Sequence, residues 1–150
     1  MAEKTVIGKN VWLYIRTAPT VIIPIKCLTQ HTITGSQEIS NTETKCGRKK
    51  TPQGSPDYQI TGEGQIMLFT GGDDATNYSA GALFRIMADQ QRVEIVSAPD
   101  GVPQEGDETY SGFAYLSEWE LVYDAGAEST FSFTFDVDGE LELVTEGPTT

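Results

Sequence analysis

Carboxylates are the most abundant ionisable side chains in this chain, and ionisable groups are the first candidates for chemistry. Its 150 residues include 22 Asp and Glu but only 10 Lys and Arg, which leaves a net charge of -12. Two acidic clusters, Asp73 with Asp74 and Asp136 with Asp138, could supply oxygen ligands to calcium, yet the remaining ligand positions of an EF-hand loop are missing. Nothing singles out two acids as a glycosidase pair. Scattered acids are most simply a solvated surface, so we predict no metal ligand.

Nucleophilic and general-base chemistry has even less support. His31 is the one histidine; it lies in a polar segment without a neighbouring nucleophile, and we predict that it is solvent-exposed. Cys27 and Cys46 do not form a CxxC motif, and in a reducing cytosol we expect thiols rather than a disulfide. The glycines form no phosphate-binding motif. The sequence therefore predicts no catalytic residue and no cofactor.

The elements that must position these side chains are predicted to be mainly β-strands. Segments of alternating or β-branched residues are 10–17, 20–28, 31–40, 57–68, 92–99, 110–124 and 130–144. The one convincing helix lies within residues 71–91, and its apolar stripe consists of Ala80, Leu83, Phe84, Met87 and Ala88. No apolar run approaches the length of a membrane span and no signal-peptide core is present, so we predict one soluble domain over residues 1–150.

The last strand segment predicts both its buried face and its turn. Its three phenylalanines alternate with small polar and acidic residues, so the aromatic face is core. A three-residue turn that ends at a left-handed Gly139 would form a hairpin with Phe135 opposite Leu141. The same register places Asp136 beside Glu140, a like-charge pair that destabilises a hairpin. Hairpin stability therefore does not explain the acids of this segment.

Charge is unevenly distributed along the chain. Residues 1–60 hold eight basic and four acidic residues, a net of +4, whereas residues 61–150 hold two basic and 18 acidic residues, a net of -16. Within the first part, residues 41–57 have almost no apolar content and several Gly and Pro, which predicts a long exposed loop, and loops of this length are usually functional or disordered. The asymmetry favours contact between the basic region of one copy and the acidic region of the next. Nucleic-acid binding by the whole surface is disfavoured.

The order of these segments, together with several short motifs, resembles a known family. The motifs are VWLYI, IPIKCLTQHTIT, SQEISNTETKCGRKKTPQG, a central helix, GFAYLSEWEL and STFSFTFDVDGEL. Together they resemble the major tail proteins, or tail tube proteins, of tailed bacteriophages, over residues 6–143. None of the motifs is a catalytic fingerprint.

The resemblance implies a mainly β fold, an antiparallel β-sandwich or barrel with one flanking α-helix. It implies a structural protein rather than an enzyme, located in the virion tail, assembled in the host cytoplasm and without a membrane partner. Subunits of this family form hexameric rings, which stack head to tail into a helical tube. Viral DNA passes through the tube without specific binding, and the tape-measure and tail terminator proteins are further partners.

Two sets of residues can be assigned from the resemblance. The loop at 41–57 corresponds to an inter-ring loop, and its basic residues would contact acids of the neighbouring ring. These residues are Lys45, Arg48, Lys49 and Lys50. An acidic lumen would keep DNA from adhering to the tube wall, and the candidates for it lie on two strand segments: Asp136, Asp138 and Glu140 on one, Glu118 and Glu120 on the other.

Two other functions fit parts of the sequence. A stand-alone β-sandwich that binds carbohydrate or another ligand could use Tyr115, Trp119 and Tyr123 as a stacking platform. All three are odd-numbered, as is Leu121, so in a regular strand they would lie on the same face as Leu121. That position favours a core or interface face. A virion decoration protein would also belong to the virion but would not line the lumen of a tube. The size of the purified protein separates these alternatives, because a ligand-binding module would be monomeric.

Overall fold

The computed structural model describes residues 11–19, 21–25, 27–66, 78–99 and 106–145. They form eight strands and one helix: β1 Val11–Ala18, β2 Val21–Pro24, β3 Leu28–Thr44, β4 Gly47–Gln65, α1 Ala80–Ala88, β5 Val93–Pro99, β6 Glu108–Val122, β7 Thr130–Val137 and β8 Glu142–Thr145. The Asp73 and Asp74 pair and the start of the predicted helical segment, residues 71–77, lie outside the described residues.

All eight strands belong to one antiparallel sheet. Its order is β2-β1-β5-β6-β7-β4-β3, and β8 pairs with the first residues of β6. The sheet is not closed, because β2 and β3 each have only one strand partner among the described residues. The prediction of a mainly antiparallel β fold with one helix is confirmed.

The core lies on the face of the sheet that carries the phenylalanines of β7. Phe135 is fully buried between Leu116 of β6 and Ile60 of β4, its partners in the two ladders. Helix α1 packs on the same face, where the indole Nε1 of Trp119 donates to the carbonyl of Ala80 at 3.1 Å. These contacts account for the period of two in the β7 sequence, since every second side chain must leave water.

Helix α1 begins after Ser79, whose hydroxyl accepts a hydrogen bond from the Ala82 amide at 3.2 Å. The predicted stripe is partly right: Ala80 and Leu83 are buried. Ile86, which the prediction left out, is buried as well, whereas Phe84 is half exposed and lies against Trp119 with the ring centroids 5.2 Å apart.

The predicted hairpin between the last two strand segments is wrong. Gly139 does adopt a left-handed conformation, with φ +94°. Yet β7 pairs with β4 and β6, and β8 continues beyond the end of β7 to pair with Glu108–Ser111 of β6. Phe135 consequently does not face Leu141. Parity fixes which face a residue occupies, but it does not fix which strand lies beside it.

The predicted long loop at 41–57 is also wrong. These residues belong to β3 and β4, which pair as far as Thr44 and Gly47 around a two-residue turn at Lys45 and Cys46. We refer to residues 38–53 as the arm. Almost every side chain in the arm is exposed, so the segment lacks the apolar pattern by which strands are recognised in a sequence. Ladder hydrogen bonds and a few exposed side-chain contacts, and not burial, hold it in the structure.

Gly64 and Gly81 provide a matched pair of Gly→Ala substitutions. A Cβ at Gly64 would collide with the backbone of Cys27 and lie 2.9 Å from Cα of Leu28, so we expect Gly64→Ala to cost about 2 kcal/mol. At Gly81 of α1 the nearest atom outside the helix backbone and the two neighbouring residues is Oγ of Ser79 at 3.8 Å, so Gly81→Ala should stabilise by about 0.5–1 kcal/mol through backbone entropy. Urea unfolding of both variants measures this difference. Equal shifts in the same direction would contradict the close packing at Gly64.

Candidate functional site

The face of the sheet opposite the core carries mostly small polar and acidic side chains. We refer to it as the polar face and define it by positions on four neighbouring strands. They are Gln30, Thr32 and Thr34 of β3; Gln59, Thr61, Glu63 and Gln65 of β4; Thr130, Ser132, Thr134 and Asp136 of β7; and Tyr115, Glu118, Glu120 and Val122 of β6. Helix α1 packs on the other side and leaves this surface uncovered.

A β-bulge in β6 determines which acids reach the polar face. The ladder with β7 shifts between Leu116 and Glu118. The residues of β6 that face the core are therefore even-numbered before the bulge and odd-numbered after it. Glu118 lies opposite Thr134 and Glu120 opposite Ser132, both on the polar face of β7. The two strand segments proposed separately as sources of lumen-facing acids therefore contribute to one surface.

Sequence reasoning missed a fourth carboxylate on this surface, Glu63 of β4. It lies opposite Ser132, on the other side of β7 from Glu120. The signal was present in the sequence, because the glycines at 62 and 64 face the core and leave the side chain between them on the opposite face. No acid of the polar face lies directly opposite another, so the direct like-charge pairing that destabilises a sheet is avoided.

The acids of the polar face have few partners to offset their charge. Asp136 accepts a hydrogen bond from Nε2 of Gln59 at 2.8 Å, which orients the carboxylate and pairs it with an uncharged group. Glu118 and Glu120 form no ion pair with another described residue. None of the polar-face positions defined above is Lys or Arg. The surface therefore has a net negative potential.

The other two predicted acids are placed differently. Asp138 lies just after β7 and its Oδ2 is 2.9 Å from Nε of Arg92. The guanidinium of Arg92 also lies over the ring of Phe113, with 4.1 Å between Cζ and the ring centroid. Glu140 is exposed in the connection between β7 and β8. The structure thus brings three of the five predicted acids, Glu118, Glu120 and Asp136, onto one surface. Asp138 instead forms an ion pair with Arg92.

The four basic residues predicted for inter-ring contact lie at the end of the arm. Arg48 and Glu43 form an ion pair of 3.2 Å with both side chains 76% exposed, and pairs of this kind contribute little in one subunit. Lys49 pairs in register with Thr42 and Lys50 with Asn41, so successive lysines point to opposite faces of the arm. Among the described residues neither lysine has an ion-pair partner.

His31 is a correction to the sequence prediction. It is half-buried rather than exposed, and its Nε2 is hydrogen-bonded to Oγ of buried Ser97 at 3.0 Å. The two residues lie on β3 and β5, which are four positions apart in the sheet, so the sheet must curl for this contact to form. Burial lowers the pKa of His31 below its ordinary value of 6.5.

This shift predicts a pH dependence of stability. At His31 the unfolded chain binds the proton more tightly than the folded one. The contribution of neutral His31 to the free energy of unfolding is therefore fully present above pH 6.5 and is lost as the pH falls below it. Carboxylates titrate mainly below about pH 5, so the change between pH 6.5 and 5 belongs to the one histidine. Denaturant unfolding of His31→Gln should show a flatter profile in this range. An unchanged slope would contradict the assignment.

The structure removes the proposed stacking platform of a ligand-binding module. Trp119 packs on the core as its parity predicted, but the bulge places Tyr115 on the polar face, and Tyr123 lies beyond β6 with 72% of its surface exposed. Cys27 and Cys46 lie at opposite ends of β3 and form no disulfide with each other. Within the described residues there is neither a cluster of three metal-binding side chains nor a helix long and apolar enough to cross a membrane.

Comparison with known proteins agrees with this architecture. A family model described as phage tail tube protein matches residues 5–143. The chain is similar to a subunit in the tail of an empty GTA particle with C6 symmetry, with a TM-score of 0.69 and 15% identity over 94% of this chain and 100% of that one. For the SPP1 tail tube the TM-score is 0.73, with 14% identity over 95% and 81% of the two chains.

A chain in the sheath–tube complex of an extracellular contractile injection system is similar too, with a TM-score of 0.63 and 14% identity over 91% of this chain and 89% of that one. No curated protein matches the chain by sequence. At these identities the solved structures show a shared fold.

Proposed function

This chain belongs to the phage tail tube protein family and has a structural role in the virion tail, and we propose that its copies form hexameric rings stacked head to tail as a conduit for viral DNA. The observation that carries the proposal is the polar face, a four-strand surface with acids and no cation at its strand positions. An acidic wall repels phosphate, so DNA can pass without adhering.

The open edges of the sheet support ring formation. β2 and β3 each present an edge without a strand partner among the described residues, and such edges pair readily with another chain. Six sheets joined edge to edge would form a continuous barrel whose inner wall is the polar face. The C6 symmetry of the GTA tail supports a six-fold ring here.

The arm supports stacking of the rings. The part of it that pairs from Glu38 to Thr44 would extend about 20 Å if straight, and a two-stranded ribbon with both faces in water is marginally stable alone. Neighbouring subunits that cover both faces of the arm would receive the charges of Lys45, Arg48, Lys49 and Lys50. We propose that the tape-measure protein lies in the lumen, that a terminator protein ends the tube, that assembly occurs in the host cytoplasm, and that no step is catalytic.

Size and morphology of the purified protein test the proposal. We expect rings of six subunits and long tubes in negative-stain electron microscopy, together with a broad high-mass distribution in sedimentation velocity. A monomer that stays monomeric at high concentration would contradict the proposal. A monomer of that kind with measurable sugar affinity would favour the ligand-binding module instead.

A further inference from the structure

The sheet consists of two halves whose core-facing side chains pack against each other. The first half contains β2, β1, β5 and the part of β6 before its bulge, and the second contains the rest of β6, β7, β4 and β3. The two halves are joined where β6 runs through both. At the other side β2 and β3 have no further strand partner among the described residues. Contacts across the core must therefore hold this open side together.

One of the contacts across the core is polar. Nε2 of His31 lies 3.0 Å from Oγ of Ser97. His31 belongs to the second half and lies opposite Gly62, where a Cβ would meet the ring of Phe133. Ser97 belongs to the first half, lies opposite buried Leu13 and is itself only 3% exposed. The hydrogen bond therefore joins the edge strand of one half to the interior of the other.

The surroundings of this contact offer little to balance a positive charge. Within the described part of the chain and outside the arm, the core-facing positions of β1, β2, β4, β5, β7, β8 and α1 carry no acidic or basic side chain. The titratable groups packed on this side are three tyrosines and the thiol beside β3, which carry no charge in acidic solution: Tyr58, Tyr78, Tyr110 and Cys27. The carboxylate on the core side of β6 is Glu108, which is exposed and accepts from the hydroxyl of Tyr110 at 2.8 Å. Burial is accordingly the cause that lowers the pKa of His31.

The separation of the two halves matters for a ring. In the proposed ring the edge of β3 in one subunit pairs with the edge of β2 in the next, and these edges belong to opposite halves of the sheet. The angle between the halves therefore sets the turn from one subunit to the next. Six equal turns must close a circle, so a change in this angle is repeated six times. A contact that joins the halves positions both edges for ring closure.

We propose that the hydrogen bond between His31 and Ser97 is a proton-sensitive clasp, in which neutral His31 holds the edge of β3 where ring closure needs it and protonation releases that edge. The inference rests on the proposed tube and adds control of its assembly by pH. The proton comes from solvent and binds the ring nitrogen that carries no hydrogen. It places a positive charge among apolar side chains, which the open form avoids. Tubes therefore form at neutral pH and dissociate into folded subunits in mildly acidic solution.

The direction of this effect separates His31 from the acids of the polar face. Carboxylates titrate mainly below about pH 5, and their protonation removes repulsion within the lumen, which strengthens the tube. Protonation of His31 weakens it, and does so as the pH falls below 6.5. Each of the six subunits carries the same group, so a ring takes up as many as six protons. Dissociation is then steeper in pH than the titration of a single site.

Electron microscopy and sedimentation velocity of the wild type and His31→Gln, at about pH 7.5 and about pH 5.5, test the clasp. We expect the mean length of wild-type tubes to fall at least tenfold at the lower pH and to recover when the pH is raised, with circular dichroism unchanged. Glutamine does not titrate and its amide still reaches a hydroxyl, so His31→Gln should keep its tubes at both pH values. Equal dissociation of the two proteins, wild-type tubes of unchanged length, or dissociation that accompanies unfolding would overturn the clasp.

A second measurement does not depend on the variant. The chain has one histidine, so the NMR signal of its imidazole reports His31 directly. In dilute subunits we expect a titration midpoint below pH 6.5, with the tubes dissociating over the same range. A midpoint at or above pH 6.5 would overturn the clasp. A wild type without rings at about pH 7.5 would instead refute the proposed function, and the clasp with it, whereas tubes that ignore pH refute the clasp alone.

Discussion

Replacing Lys49 and Lys50 with glutamate is expected to leave a folded protein that assembles into rings but no longer elongates. Both side chains are exposed on the arm and neither has an ion-pair partner in the described part of the subunit. Substitutions at such positions change the free energy of unfolding by about 0.5 kcal/mol or less. The fold should therefore survive, and the loss should appear only in the contact between rings.

The size of this effect follows from the symmetry. One exposed ion pair contributes about 0.5 kcal/mol, which is small. Six subunits with two lysines each would place about twelve such pairs in one ring-to-ring contact, or about 6 kcal/mol, roughly a 10⁴-fold change in association. Reversal of charge adds repulsion to that loss. Small surface interactions become decisive because the ring repeats them.

Negative-stain microscopy and sedimentation velocity measure the outcome, with circular dichroism to verify folding. The neutral variant Lys49→Gln/Lys50→Gln is the matched control, since it keeps chain length and polarity and removes only the charge. We expect it to be intermediate, with shorter tubes than the wild type. Tubes of wild-type length from the glutamate variant would remove the arm from the stacking role.

Reversal of charge on the polar face should convert a surface that excludes DNA into one that retains it. The four acids Glu63, Glu118, Glu120 and Asp136 give this face a charge of -4 per subunit. Glu118→Lys/Glu120→Lys changes it by +4, to zero, and provides two lysines for phosphate contact. With about six subunits per ring, lysine rows would surround the lumen, and counterion release would make binding strong at low salt.

The measurement is co-sedimentation of tubes with short duplex DNA at increasing salt. We expect no retention by the wild type and at least tenfold more by the variant at low salt, with affinity falling steeply as salt rises. The matched control is Asp89→Lys/Glu108→Lys, with the same charge change at exposed sites off the polar face, at the end of α1 and the start of β6. Equal retention by the variant and its control would contradict a lumen lined by the polar face.

The distinction between local and non-local information explains which predictions succeeded. Leu83 in the helix stripe, the left-handed Gly139 and the buried phenylalanines of β7 follow from periodicities within a few residues of each position. The pairing of Gln59 with Asp136 spans 77 residues, and no local pattern encodes it. His31 was misplaced for the same reason, because its burial depends on a strand 66 residues away.

The sequence by itself determined that this is a mainly β protein with an aromatic core face, a short amphipathic helix, two thiols and an uneven distribution of charge. Those properties depend on side-chain alternation and composition, which are present in any conformation of the chain. Only the tertiary structure decided that residues 41–57 form strands, because their hydrogen bonds come from the partner strand and not from burial. Only the bulge at Leu116 and the ladders of β7 bring Glu63, Glu118, Glu120 and Asp136 onto one surface. Several neighbouring strands contribute side chains to one face of a sheet, and the order of those strands depends on the whole fold.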